Sequence, residues 1–187
     1  MGRLIYLLNV SLDGFVETTD KSLDWTMVDD ELHSWFNDYE RSIDATIYGR
    51  GLWDLMSAHW PTVEFDPSAT DTELEFARLW LTRPKIVISS TLESVGWSGR
   101  LVRGDIEDVL RDVRAEFAGD IGVGGATIAA SFIRRGLVDE YGMVVHPVAL
   151  GAGTPYFPAL DDPLRLRLTE RREFSSGVEY RAYVPAG

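Results

Sequence analysis

The chain has 187 residues, 45 % of them hydrophobic and 26 % charged, a balance that predicts one well-cored globular domain over residues 1–187. No cysteine is present, which excludes disulfides, thiolate nucleophiles and cysteine-based metal sites. The net charge of −12 argues against general nucleic-acid binding, and no segment has the length of a membrane span or the pattern of a signal peptide, so a cytoplasmic protein is expected.

Leu4–Val10 is an almost unbroken apolar run, the mark of a central strand buried on both faces, and Ser11-Leu12-Asp13-Gly14 ends it with turn residues. From Asp29 the period changes. Leu32, Trp35, Phe36 and Tyr39 form one helical stripe, with Asp29 and Asp30 at the positive end of the helix dipole. Ile43–Tyr48 reads as a second strand, turned by Gly49-Arg50-Gly51 into a short helix through Ser57. The pattern predicts a loop over 61–69, a helix over 70–81 and a compact strand over 85–89. Ile106, Val109, Leu110, Val113 and Phe117 make the stripe of a helix after Asp105. Ile121-Gly122-Val123 is a very short strand that runs through Gly124-Gly125 into a helix ending at Gly136. Residues 139–148 read as a further strand. Leu164–Leu168 and Val178–Val184 alternate with period two, and Ser175-Ser176-Gly177 supplies the turn of a hairpin. Strands alternating with helices, then a hairpin, predict an α/β fold of three layers, α/β/α, whose mostly parallel sheet ends in a C-terminal antiparallel hairpin.

Three strand ends carry glycines or hydroxyls: Gly49-Arg50-Gly51-Leu52, Ser89-Ser90-Thr91 and Gly124-Gly125-Ala126-Thr127. Ligands of parallel sheets collect beyond the carboxyl ends of the strands, where glycine lets backbone approach a phosphate and helix N-termini offer free N–H groups. Arg50 could pair with a phosphate bidentately. Each glycine could also merely make a turn, but three such ends in one small sheet favour a dinucleotide. The third segment is not a G-x-G-x-x-G fingerprint, and no Gly-Lys-Ser/Thr follows four spacers, so neither a Rossmann nucleotide site nor a P-loop fits.

In order along the chain, Ser11-Leu12-Asp13-Gly14-Phe15-Val16, Tyr48-Gly49-Arg50, Pro84 to Leu92, Gly124-Gly125-Ala126-Thr127, Gly136 to Glu140 and Pro147 to Gly153 resemble one family. The chain is similar to dihydrofolate reductase and, more closely, to proteins related to the C-terminal reductase domain of the riboflavin-biosynthesis deaminase–reductase. The resemblance implies hydride transfer from NADPH to a small planar heterocycle. It places Gly49, Arg50, Gly51 and Leu52 at the cofactor phosphates, and Ser89, Ser90 and Thr91 at the adenosine ribose and 2′-phosphate. Gly124, Gly125, Ala126, Thr127 and Ile128 would lie under the pyrophosphate and nicotinamide. Val10 and Val16 would flank the nicotinamide beneath a mobile loop of residues 11–25. Related reductase domains commonly pair, so the resemblance also admits a homodimer.

Trp25, Leu32 and Trp53 are the candidates for the substrate pocket, and Asp13 and Glu31 for proton delivery, with water as the alternative source. The family's folate-gripping acid has no clear counterpart, because aligning Trp35-Phe36 puts Leu32 in its place. The riboflavin-pathway Leu-Ala-Asp-Asp-Pro-like stretch is replaced by Gly51-Leu52-Trp53-Asp54-Leu55. True dihydrofolate reductase activity and a non-catalytic nucleotide-binding or assembly role both remain open at this point. His33, His59 and His146 suggest no metal site.

Overall fold

The structure, a computed structural model, describes residues 2–187. In chain order its elements are β1 (Leu4–Ser11), β2 (Phe15–Glu17), α1 (Asp30–Ser42), β3 (Ile43–Gly49), α2 (Arg50–His59), α3 (Asp71–Thr82), β4 (Lys85–Ile88) and β5 (Gly99–Val102). They continue with α4 (Ile106–Glu116), β6 (Asp120–Gly124), α5 (Ala126–Arg134), β7 (Glu140–His146), β8 (Thr154–Pro155), β9 (Leu166–Glu173) and β10 (Glu179–Pro185).

Eight strands form one sheet in the order β5-β4-β3-β6-β1-β7-β10-β9. The first six in that order are mutually parallel, and β10 and β9 close one side as an antiparallel pair. The apolar run of β1 is in the middle because it has a layer on each face. Leu4 and Tyr6 share one face with Ala45, Ile47, Ile121 and Val123, and there they meet the stripe of α4 and the buried Phe132 and Ile133 of α5. The other face is covered by α1 beside β7 and β10, through Leu32, Val144 and Tyr180, and by α2 and α3 through Trp53 and Trp80 packed on Tyr48 and Val87. Each fully buried apolar side chain of this kind stabilises the fold by roughly 1.5–3 kcal/mol. This is the three-layer α/β/α architecture with a C-terminal antiparallel hairpin that the pattern predicts.

The differences lie where burial is thin. The first residues of the loop expected over 61–69 belong to a 3-10 helix (Trp60–Phe65) with Pro61 at its start, a position that needs no N–H. β5 is a four-residue edge strand with an exposed Arg100, too short and too polar to announce itself. β9 is longer than its alternating stretch and almost wholly exposed. Its Arg and Glu residues suit an edge strand that must not recruit another strand. No described helix is long and apolar enough to cross a membrane.

Candidate active site

Three of the five helices supply their own N-terminal caps. Asp29 accepts from the Leu32 N–H, Thr70 and Glu73 form a capping box, and Asp105 accepts from the Glu107 N–H. The other two do not: α2 starts after Gly49 and α5 after Gly125, and among the described residues no side chain takes up their first N–H groups. Both begin at the carboxyl ends of parallel neighbours β3 and β6. Two helix dipoles and two sets of unpaired N–H groups therefore converge, an arrangement that favours an anion.

Glycine makes that convergence possible. A Cβ on Gly49 would stand 3.0 Å from Cβ and Cγ2 of Ile128 in the first turn of α5. A Cβ on Gly124 would stand 2.9 Å from Leu52 Cδ2 and 3.1 Å from the Tyr48 ring. Gly125 has φ +105°, a conformation that strains any L side chain. Gly51, by contrast, has open space where its side chain would be, and Thr127 is exposed at the start of α5.

The third expected segment joins the other two through Arg50, whose Nη1 donates to Thr91 Oγ1 at 2.8 Å while Nε donates to Asp54 Oδ2 at 3.2 Å. Ser90 and Thr91 are exposed; Ser89 is buried. Its Oγ accepts from the N–H groups of Thr91 and Leu92, both at 3.2 Å, so Ser89 shapes the turn and only its neighbours face outward. Arg103, just past β5, donates to the Leu92 carbonyl oxygen at 2.5 Å and sets a second guanidinium beside this loop. Sequence reasoning missed Arg103 because it missed β5.

Several expected site residues are placed otherwise. Leu32 is fully buried against Val144, Phe174, Val178 and Tyr180, and Trp53 is buried between Tyr48 and Trp80. Both belong to the core and not to a pocket wall. The side chains of Val10 and Val16 are buried in the core on the α4–α5 face, which leaves only their backbone toward a ligand. Asp13 is exposed but fully engaged: it accepts from the Ser11 hydroxyl at 2.7 Å and from the N–H groups of Leu150 at 3.0 Å and Gly151 at 2.7 Å. Those bonds, the Ser11 one first, hold its carboxyl down to about 2, so it has no proton to give near neutrality. Glu31 accepts from the Ser175 N–H at 3.0 Å and the Ser175 hydroxyl at 2.7 Å, and lies 3.5 Å from the Arg172 guanidinium. These partners lower its pKa and turn it to the β9–β10 hairpin. The start of the segment after β1, expected to be mobile, makes backbone bonds to the C-terminal part of the chain. The Leu12 N–H donates to the Val148 carbonyl at 2.7 Å, the Tyr156 N–H to the Gly14 carbonyl at 2.9 Å, and β2 pairs with β8.

On the α1 face, at the same end of the sheet, the expected pocket residue Trp25 belongs to a polar cluster that sequence reasoning did not assemble. Ser11 and His146 lie opposite each other in register at the ends of β1 and β7, both buried. The Met27 N–H donates to His146 Nδ1 at 3.0 Å, His146 Nε2 lies 2.9 Å from Asn9 Oδ1, and the half-buried Trp25 meets the imidazole edge-on at 5.4 Å. Burial pushes the imidazolium down to about 4, so the ring is neutral at physiological pH.

A mostly parallel sheet with two glycine-started helices at the carboxyl ends of adjacent strands, closed by a C-terminal antiparallel pair, defines a dihydrofolate reductase-like fold. Residues 3–180 match the RibD C-terminal domain family, and the chain belongs to that family. The uncharacterized protein YyaP of Bacillus subtilis (strain 168) is 35 % identical over 182 residues, which span 97 % of this chain and 94 % of YyaP. A protein from Shewanella sp. PV-4, named for a proposed role in riboflavin biosynthesis, superposes over the full length of both chains with a TM-score of 0.79 at 22 % identity. Dihydrofolate reductase from Enterococcus faecalis, solved with NADP(H) and RAB-propyl, superposes over 100 % of this chain and 98 % of its own with a TM-score of 0.66 at 14 % identity.

Proposed function

We propose that the protein is an NADPH-dependent reductase that transfers a hydride to a small planar heterocycle. The observation that carries this reading is the pairing of the two uncapped helix N-termini across the Gly49–Ile128 contact, with Arg50 reaching from one of them to the loop after β4. The N–H groups of Gly51 and Leu52 on α2, and of Ala126, Thr127 and Ile128 on α5, would hold the pyrophosphate. Arg50, Ser90 and Thr91 would hold the adenosine ribose and 2′-phosphate, with Arg103 adding charge from the far side of the same loop. The backbone at Val10 and Val16 would border the nicotinamide.

Bound NADPH would supply the hydride, and the remaining tasks fall to the protein. The sheet edge and the start of the segment after β1 orient the two ring systems and exclude bulk water. The bonds made by Asp13 and Glu31 disfavour both as proton donors, and the proton is assigned to water. Belonging to the RibD C-terminal domain family, together with the likeness to a reductase solved with NADP(H), supports the cofactor class. Leu32, buried and apolar where folate reduction would need an acid, disfavours dihydrofolate as the substrate.

Calorimetric titration with NADPH and with NADH tests the proposal, followed by absorbance at 340 nm with candidate heterocycles, dihydrofolate among them. NADPH is expected to bind more tightly than NADH. Absence of binding by either dinucleotide at millimolar concentration would overturn the reading and leave an assembly role on the same fold.

A further inference from the structure

The acids at the turn after β1 and at the start of α1, namely Asp13, Asp29, Asp30 and Glu31, are each engaged elsewhere. Asp13 holds the N–H groups of Leu150 and Gly151, Asp29 caps α1, Asp30 accepts from Thr72, and Glu31 accepts from Ser175. What this end of the sheet offers instead is an amide. Asn9 lies two residues before the end of β1 on the α1 face, beside His146.

The tautomer of His146 follows from its neighbours. A backbone N–H can only donate, so the Met27 N–H bond makes Nδ1 the unprotonated nitrogen of the neutral ring. The ring proton is then on Nε2 and donates to Asn9 Oδ1 at 2.9 Å. That bond fixes the amide, with Oδ1 toward the histidine and the Nδ2 group turned away. Among the described residues no atom accepts a hydrogen bond from Asn9 Nδ2, and it is not one of the buried unpartnered atoms, so its N–H groups are open to a ligand.

We propose that Asn9, held by His146, recognises the substrate by donating through Nδ2 to a ring carbonyl oxygen. The proposal rests on the reductase reading for where the substrate lies, and it adds the chemistry of the edge that is read. That edge is a hydrogen-bond acceptor, as in an oxo-heterocycle, and not the donor edge of an amino-heterocycle that a carboxylate would grip. A ligand presenting N–H groups to Asn9 Nδ2 leaves donors facing donors, an unpaired arrangement that costs affinity. Asn9 touches the substrate; His146 is a positioning residue that sets which end of the amide faces it.

The probes are 2,4-dioxopteridine and 2,4-diaminopteridine, titrated calorimetrically into the full-length protein with and without NADPH. The dioxo compound is expected to bind at least about tenfold more tightly, a difference of the size of one hydrogen bond lost from a desolvated site. Asn9→Asp, which turns the donor into an acceptor, should reverse the preference. His146→Gln, which keeps an N–H close to the position of Nε2, should retain it. His146→Leu should abolish the preference while the protein stays folded, as judged by its thermal unfolding midpoint. If His146→Leu fails to fold, nitrogen chemical shifts of the wild-type ring decide the point: protonation on Nδ1 would overturn the proposal. So would a preference for the diamino compound, no binding of either pteridine, or a preference that Asn9→Asp leaves unchanged. Failure of NADPH to bind, with the pteridine preference and its reversal intact, would instead remove the reductase reading alone.

Discussion

Gly49 and Ile128 meet where two helices begin: the missing side chain of the first accommodates the branched side chain of the second, with only 3.0 Å between Ile128 and a hypothetical Gly49 Cβ. The contact joins the start of α2 to the start of α5 across neighbouring strands β3 and β6. Gly49→Ala must therefore push one helix start away from the other. The substitution is expected to destabilise the fold by about 1–3 kcal/mol, the range for overpacking a tight contact, and to weaken NADPH binding. Adding Ile128→Ala to Gly49→Ala should restore part of the binding that Gly49→Ala loses. Chemical denaturation and calorimetry on the two single variants and the double variant measure the coupling; strictly additive losses would mean that this contact does not position the two helix ends.

Arg50 reaches Thr91 through Nη1, which places its charge at the loop proposed for the 2′-phosphate. Arg50→Ala should cost NADPH about ten- to a hundredfold in affinity, the loss expected of one charge-assisted hydrogen bond, and cost NADH much less. Paired titrations of both dinucleotides check this. Equal losses would move Arg50 to the pyrophosphate.

The frame of this fold can be read from the sequence because its signals are local. Unbroken apolar strands such as Leu4–Val10, the four-residue stripe of α1 and the glycines at strand ends each state their role within a few residues. The same holds for the segments around Gly49, Ser89 and Gly124, which the sheet brings to one edge. What stays hidden depends on contacts across the chain. Leu32 and Trp53 look like pocket residues until Val144, Tyr180 and Trp80 are seen to cover them. Asp13 and Glu31 look like free acids, yet their partners lie 137 and 144 residues away. His146 carries no sequence signal at all, since its partners Asn9 and Met27 are 137 and 119 residues distant. Arg103 could be found only by recognising β5, a four-residue strand with its Arg100 exposed and none of its residues fully buried.

Asp13 fastens the turn after β1 to Leu150 and Gly151 and is ionised at any pH above about 3, given its depressed pKa of about 2. Asp13→Asn keeps the shape but gives up an ionic acceptor. The variant should unfold at a lower temperature and be cut faster by protease in residues 148–153. On the proposal that water supplies the proton, the pH dependence of NADPH oxidation should be unchanged. A basic or acidic limb of the wild-type pH–rate profile that disappears in Asp13→Asn would return Asp13 to the chemistry.

His146 predicts a pH-dependent stability of definite sign. Burial holds its pKa near 4 in the folded protein, whereas a histidine in the unfolded chain titrates near 6.5. Below about 6.5 the unfolded chain takes up a proton that the native state refuses. The contribution of this residue is therefore complete above that pH and is lost as the pH falls toward about 4. The size follows from the difference between the two values, about 3–3.5 kcal/mol at most. Protonation would also turn Nδ1 into a donor facing the Met27 N–H, so the segment after β1 should loosen before the sheet does. Urea denaturation of the wild type and His146→Gln at pH 7 and pH 4.5 isolates the effect, since every other titrating group is common to both proteins. The gap between the two stabilities should shrink at the lower pH, and hydrogen exchange at Met27 should rise in the wild type. A gap that stays constant would show that burial does not depress the native pKa of the histidine below its unfolded value.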